Sequence, residues 1–108
     1  MARRALALSA ETRGRLEEGA AYRVLGQTHE AMDNRSEADT AFRRGLDVLE
    51  QIQSRPELAQ TLLAYGRFRQ RDDAAEGRAM MGRALGLFKE MGATGWIDEA
   101  RTSLASRM

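Results

Sequence analysis

Apolar residues recur at steps of three and four along most of the chain, the spacing that places them on one face of an α-helix. The clearest stripe lies between residues 37 and 53. Its small and large apolar positions are Ala38, Ala41, Phe42, Gly45, Leu46, Leu49 and Ile52. The same spacing predicts further helices over residues 2–10, 16–32, 57–70, 74–91 and 95–106. Because the chain has one Pro and few β-branched residues, the pattern predicts an all-α fold.

Two polar stretches interrupt the pattern in the first third of the chain. Residues 9–15 contain Gly14 and predict a turn after the first short helix. Asp33-Asn34-Arg35 predicts the next break, because Asp and Asn accept turn geometry and compete for helical hydrogen bonds. Ser36 is then expected to cap the following helix, and Asp39 to complete a capping box three residues later.

The later joints carry equally specific signals. Pro56 suits the first turn of a helix, since that position needs no N–H donor. Asp72-Asp73 is expected at a turn and helix start, because carboxylates there cap the helix and complement its dipole. Gly92 is expected at the left-handed end of the helix over 74–91, and Thr94 at the start of the last helix.

A short segment recurs at intervals of about 40 residues. It reads Arg4-Ala5-Leu6, Arg44-Gly45-Leu46 and Arg83-Ala84-Leu85, and each copy is followed two residues later by another aliphatic side chain. Repeats of this length are typical of proteins that stack similar helical units into an array. The recurrence therefore favours a stacked array of similar helical units over the single compact core that is typical of an enzyme.

Two complete helix pairs can be aligned on these copies. The first carries Tyr22, Leu25, Gly26, Ala38, Phe42 and Gly45, and the second carries Leu62, Tyr65, Gly66, Gly77, Met81 and Ala84. The pattern resembles the tetratricopeptide repeat (TPR), which has an aromatic residue and a Leu-Gly pair on its first helix and small, aromatic and small residues on its second. The resemblance implies a right-handed superhelical stack of antiparallel helix pairs, a TPR-like α-solenoid.

The resemblance also implies how the chain is divided. A single domain over residues 1–108 would comprise a partial N-terminal helix (1–10), a first repeat (16–53), a second repeat (56–91) and a C-terminal capping helix (94–107). Gly26 and Gly66 are expected to let the two helices of a pair approach closely. Phe42 and Met81 are expected to fill the space between one pair and the next.

The units depart from the usual TPR in length and in two side chains. They are longer than the usual repeat of about 34 residues, and His29 and Arg69 stand where the family usually has an aromatic residue. The longer unit is similar to the repeats of large bacterial signalling and transcriptional regulators. Lys89 is the only Lys among 17 basic residues, a bias typical of GC-rich bacterial genomes.

Composition excludes several classes of partner and chemistry. The net charge of +1 provides no long-range field toward nucleic acid or an anionic membrane, so neither is expected as a partner. The absence of Cys excludes disulfides, thiolate metal sites and cysteine nucleophiles. Residues 1–5 lack the apolar run of a signal peptide, and we expect a cytoplasmic protein.

The sequence offers no set of residues that supports catalysis. His29 is the only His, and no Cys or clustered carboxylates accompany it at metal-ligand spacing, so we expect it to be a packing residue. Asp72 and Asp73 are interpreted as helix-start residues instead of metal ligands. We expect no cofactor and no metal, and predict that the protein is not an enzyme.

The repeats that the chain resembles bind peptides along a concave surface lined by the first helix of each pair. Carried over to this chain, the exposed positions of those helices are Arg23, Gln27, Glu30, Leu63, Arg67, Gln70 and Arg71. Their Arg and amide side chains could receive an acidic or carboxylate-ended peptide through forked hydrogen bonds. An ordinary solvated helix face accounts for the same residues equally well.

Two functions therefore remain open. The first is a protein-protein interaction module that binds a peptide or protein through the concave face, as part of a bacterial regulator. The alternative is a self-associating unit, a homo-oligomer built through exposed terminal helices, because Ala5, Leu6 and Leu8 have no preceding unit to pack against.

Overall fold

The computed structural model describes the backbone of residues 2–105 and the side chains of residues 11–105. All regular structure in this part is helical, which confirms the all-α prediction. The helices are α1 (Ala2–Ala31), α2 (Arg35–Gln51), α3 (Arg55–Arg69), α4 (Ala74–Met91) and α5 (Thr94–Ala105). Residues 106 and 107, which the prediction included in the closing helix, lie outside the described residues.

The N-terminal prediction was wrong in one respect. No turn separates residues 2–10 from residues 16–32, because α1 runs without interruption through Gly14. A single Gly in a helix costs only about 1 kcal/mol relative to Ala, and the surrounding Glu, Arg and Leu residues are good helix formers. The apolar side chains expected on the partial helix, Ala5, Leu6 and Leu8, lie outside the described side chains.

The start of α2 was also misplaced. The helix begins at Arg35, with Asn34 as the preceding residue and no side-chain capping hydrogen bond. Ser36 and Asp39 therefore do not form the predicted capping box. The Asp39 carboxylate is directed to α3, where it accepts a hydrogen bond of 2.6 Å from the Tyr65 hydroxyl.

The residues at three other helix ends were predicted correctly. Pro56 lies in the first turn of α3. The Asp73 carboxylate caps α4 by accepting a hydrogen bond of 3.1 Å from the Glu76 N–H. Gly92 ends α4 in the left-handed conformation, with φ of 66°.

Two further joints use the left-handed conformation without glycine. Asp33 follows α1 with φ of 61°, and Gln53 follows α2 with φ of 54°. The next residue in each joint closes the turn, since the Asn34 N–H donates to the His29 carbonyl and the Ser54 N–H to the Leu49 carbonyl. Both helices therefore end in the same compact way as α4.

Consecutive helices pack antiparallel, and glycines bring the two helices of each pair together. A Cβ added at Gly26 would lie 2.8 Å from the Phe42 ring, and one added at Gly66 would lie 2.7 Å from the Met81 side chain. Such separations are far below an ordinary contact. The missing side chain at each glycine therefore leaves room for a large side chain of the second helix, and the two helices approach closely, as predicted.

Aromatic packing joins the first pair to the second. The Phe42 ring lies with its centroid 5.3 Å from that of Tyr65 and 5.6 Å from that of Phe68. All three side chains are buried. Phe42 thus fills the space between the pairs, as predicted, and α5 covers the far side of the second pair through the buried Ala100.

Candidate functional site

The seven residues predicted to line an inner groove do not form one exposed surface. Leu63 was expected to be exposed, and this was wrong: it is 1% exposed and lies in the core. Glu30 and Gln70 are half-buried. Gln27, Arg67 and Arg71 are exposed. The error at Leu63 arises because α3 has neighbours on several sides, so little of its surface remains open.

Two of the predicted arginines are engaged in contacts between helices. Arg23 of α1 lies 2.5 Å from the Glu57 carboxylate of α3, with the two side chains 16% and 24% exposed. Arg67 of α3 donates to Glu99 and Ser103 of α5, at 2.9 and 2.7 Å. These guanidinium groups link α1 to α3 and α3 to α5, and an acidic peptide would have to compete with the carboxylates they already hold.

The positions that carry the TPR resemblance are mostly buried, as a packing role requires. Gly26, Ala38, Phe42, Gly45, Leu62, Tyr65, Gly66, Met81 and Ala84 are all buried. Tyr22 is half-buried, and Leu25 is the exception, with 44% of its surface exposed. Leu25 therefore belongs to a surface and not to the core.

A polar cluster between α2 and α3 is structural in character. The Asp39 carboxylate accepts hydrogen bonds from Tyr65, at 2.6 Å, and from Arg43, at 2.7 Å. Burial raises the pKa of Tyr65, and the hydrogen bond to Asp39 raises it further. The phenol therefore stays protonated and donates to the carboxylate, which fixes α2 against α3.

The residues considered as metal ligands are each engaged in a different local contact. His29 is half-buried at the end of α1, with its Nδ1 atom 3.4 Å from the Asn34 side-chain nitrogen. Asp72 forms an ion pair with Arg35, and Asp73 caps α4. Among the described residues, no three His, Cys, Asp or Glu side chains come together as a metal site would require.

An apolar surface that the sequence did not single out lies on the first helix pair. Val24 and Leu25 of α1 and Met32, the residue after α1, are 56%, 44% and 63% exposed, and they are three of the four large hydrophobic side chains exposed in the described part of the chain. A groove of about 300 Å³ runs between α1 and α2. Its lining residues are Tyr22, Leu25, Ser36, Glu37, Thr40, Ala41 and Arg44.

This surface, which we call the outer face, points away from the rest of the molecule. Phe42 and Asp39 contact α3. At about 100° per residue, the side of α2 that carries Glu37, Thr40 and Arg44 is turned away from that contact. The outer face therefore comprises Leu25 of α1 and Met32, the residue after α1, together with Glu37, Thr40, Ala41 and Arg44 of α2.

The sequence contained a signal for this surface. Val24 and Leu25 are adjacent, and with Tyr22 and Gly26 they give α1 an apolar arc too wide for contact with one neighbouring helix. A narrow apolar stripe on α1 would have been covered by α2 alone. The width of the arc predicts a second contact surface, which the alignment to repeat positions concealed.

The fourth exposed hydrophobic side chain lies at the other end of the molecule. Trp96 of α5 is 40% exposed and stacks on Phe88, with ring centroids 5.4 Å apart. A pocket of about 490 Å³ lies beside it, lined by Arg67, Gly95, Trp96 and Glu99. This pocket combines an aromatic wall with one cation and one anion.

Within residues 2–105, no helix is both long enough and apolar enough to cross a membrane. Comparison of the chain with protein-family models, with curated proteins and with solved structures found no match.

Proposed function

We propose that the protein is a non-catalytic protein-interaction module that binds a protein through the outer face. The observation that carries the proposal is the exposed Leu25 in the lining of a groove of about 300 Å³ between α1 and α2, with the exposed Met32 seven residues further on. Single exposed apolar residues are ordinary, but grouped ones next to a concave surface are typical of interaction sites.

We further propose that the two helix pairs are TPR-like units of a bacterial cytoplasmic regulator. The support is the sequence resemblance together with the recurrence of one contact, a glycine of the first helix against a large side chain of the second, at Gly26–Phe42 and Gly66–Met81. A chain with no Cys is compatible with a reducing compartment.

Site-specific photo-crosslinking tests the outer face. A photoreactive amino acid at Leu25, introduced into the full chain in cells that express it, is expected to give a covalent protein adduct. The same amino acid at Thr102, an exposed position on α5, is the matched control and is expected to give none. Equal adducts at both positions, or none at Leu25, would contradict the proposal.

The pocket beside Trp96 supports a second candidate, a peptide site on the surface formed by α3 and α5. Trp96 is the only Trp in the chain, so its fluorescence reports on this pocket alone. A peptide with an apolar side chain followed by a free carboxylate is expected to shift the emission to shorter wavelength. The shift should be lost in Arg67→Ala and retained in Leu25→Ala, and an emission that no such peptide changes would remove this candidate.

A further inference from the structure

We infer that the partner of the outer face is a second copy of this chain, packed by the same face in an antiparallel two-fold arrangement. The inference rests on the proposed function, because it names the partner of the surface assigned there. It is carried by the charge pattern of α2 and by the small side chains at the centre of the surface.

The charges on the outer side of α2 are complementary to themselves. Glu37 and Arg44 lie at equal distances on either side of Thr40-Ala41, seven residues apart, which is roughly 10 Å along a helix. When a second α2 packs antiparallel with its own Thr40-Ala41 against the first, each Glu37 faces an Arg44 of the other copy. Parallel packing would place like charges opposite each other, which is unfavourable.

These two side chains are available for such contacts. Within the described part of the chain, neither Glu37 nor Arg44 forms an ion pair, and both are exposed. The neighbouring Arg43 differs, because its guanidinium is bonded to Asp39 at 2.7 Å. Glu37 and Arg44 can therefore pair with another molecule without breaking an ion pair within their own.

The centre of the surface allows close approach of a second helix. Thr40 and Ala41 are small, and the buried Ala41 lies at the base of the groove. The Thr40 hydroxyl already donates to the Ser36 carbonyl at 3.1 Å, so covering it leaves no unsatisfied donor. The side chains at this crossing point therefore do not obstruct the second copy, and they lose no hydrogen bond when it packs against them.

The apolar part of the outer face consists of Leu25, which lines the groove, and Met32, which is exposed. A two-fold axis through Thr40-Ala41 brings the α1 side of each copy against the α1 side of the other. The same two apolar side chains are then covered in both copies.

The size of the face sets the expected affinity. Helix α2, with 17 residues, is roughly 25 Å long, and two helices about 10 Å apart give a footprint of roughly 500 Å². A standard stable interface covers about 800 Å² on each partner. We therefore expect a dimer that dissociates, with a dissociation constant of roughly 1–100 µM.

Sedimentation velocity of the full chain over a concentration series from roughly 1 µM to 1 mM, chosen to bracket that constant, tests the inference. The wild-type chain is expected to shift from monomer to dimer. Glu37→Arg and Arg44→Glu, each alone, should raise the dissociation constant about tenfold or more, because each places two like-charged pairs in the homodimer. An equimolar mixture of these two variants should dimerise again, since all facing charges are then opposite.

Arg101→Glu is the matched control, since it makes the same change of charge at an exposed position on the far end of the molecule. It should leave the dissociation constant unchanged, and circular dichroism and thermal unfolding should show that every variant is folded. Three results would each overturn the inference: a wild-type chain that remains monomeric at the highest concentration, an equal effect of Arg44→Glu and Arg101→Glu, or a variant mixture that does not associate.

The crosslinking at Leu25 separates this inference from the proposed function. Adducts between two copies of the chain are expected. A monomeric chain whose Leu25 adducts contain a different protein would overturn self-pairing and leave the proposed function intact. The lack of any adduct would contradict both.

Discussion

At the scale of single residues, the fold depends on contacts in which a large side chain occupies the room left by a glycine on the neighbouring helix. Phe42 occupies the space left by the missing side chain of Gly26, and its ring is held on the other side by Tyr65 and Phe68. It cannot move away from a larger residue at position 26. The contact is therefore specific for the pair, and not simply a consequence of apolar burial.

Gly26→Ala is expected to destabilise the protein by about 1–3 kcal/mol through overpacking. Gly82→Ala is the matched control: Gly82 is exposed in the middle of α4 with no atom within 4 Å of an added Cβ, so that change should stabilise by about 0.5–1 kcal/mol. Phe42→Ala should cost about 3–5 kcal/mol. Denaturant unfolding measures all three, and a stabilising Gly26→Ala would show that the two helices are not in this register.

The phenol of Tyr65 gives the stability of the protein a dependence on alkaline pH. Burial, followed by the hydrogen bond to Asp39, raises the pKa of Tyr65 above its ordinary value of about 10. The folded state then keeps a proton that the unfolded state releases. The stabilisation is complete below pH about 10 and is lost as the pH rises through the folded-state pKa.

Tyr65→Phe should therefore lower the free energy of unfolding by about 0.5–1.5 kcal/mol at neutral pH, through loss of the hydrogen bond to Asp39. It should also make that free energy fall less steeply than in the wild type above pH about 10. Urea unfolding at a series of pH values measures the slope. Identical slopes for wild type and Tyr65→Phe would contradict the assignment.

At the scale of helices, prediction succeeded where an end carries a strong local signal. The bounds of α4 were predicted to the residue because Asp73 caps one end and Gly92 closes the other. The end of α2 carries no such signal, since Gln53 adopts a left-handed conformation that could not be predicted from its residue type. Short-range chemistry thus determines some ends, while tertiary packing determines others.

Gln53→Gly should stabilise the protein by about 0.5–1 kcal/mol, because glycine adopts a φ of 54° without the steric strain of a side chain. Gln27→Gly is the matched control, at an exposed position inside α1, where it should destabilise by about 1 kcal/mol. Thermal unfolding of both variants gives the comparison. A Gln53→Gly variant less stable than wild type would mean that the strain at this joint is negligible.

The candidate site was harder to predict than the helices, for a reason visible in α3. Periodicity tells which residues share a side of a helix, but not how many neighbours surround it. Nine of the 15 residues of α3 are buried, and Leu63 is one of them. The opposite error occurred at Leu25, which the repeat alignment placed in the core although its side of α1 has no neighbour in the described structure.

At the scale of the whole molecule, α3 is the central element, and stability should decrease away from it. Helix α1 extends past the end of α2, and residues 11–14 are exposed on all sides. Amide hydrogens protected only by local structure exchange faster than those that require global unfolding. We therefore expect the slowest hydrogen exchange in the buried residues of α3 and much faster exchange at residues 11–14.

Hydrogen-deuterium exchange followed by mass spectrometry or NMR measures this order directly. The expected protection of α3 approaches the global free energy of unfolding, as measured with denaturant on the same protein. Protection of residues 11–14 equal to that of α3 would show that a contact covers this part of α1. A dilute sample, in which the chain is monomeric, is the appropriate control for protection that arises from association.

Pairing through the outer face has a consequence for the growth of assemblies. A two-fold contact uses the same face of both molecules, so a dimer has no copy of that face left for a third molecule and assembly by this route stops at two. A contact between two different faces would instead continue into an open chain of molecules.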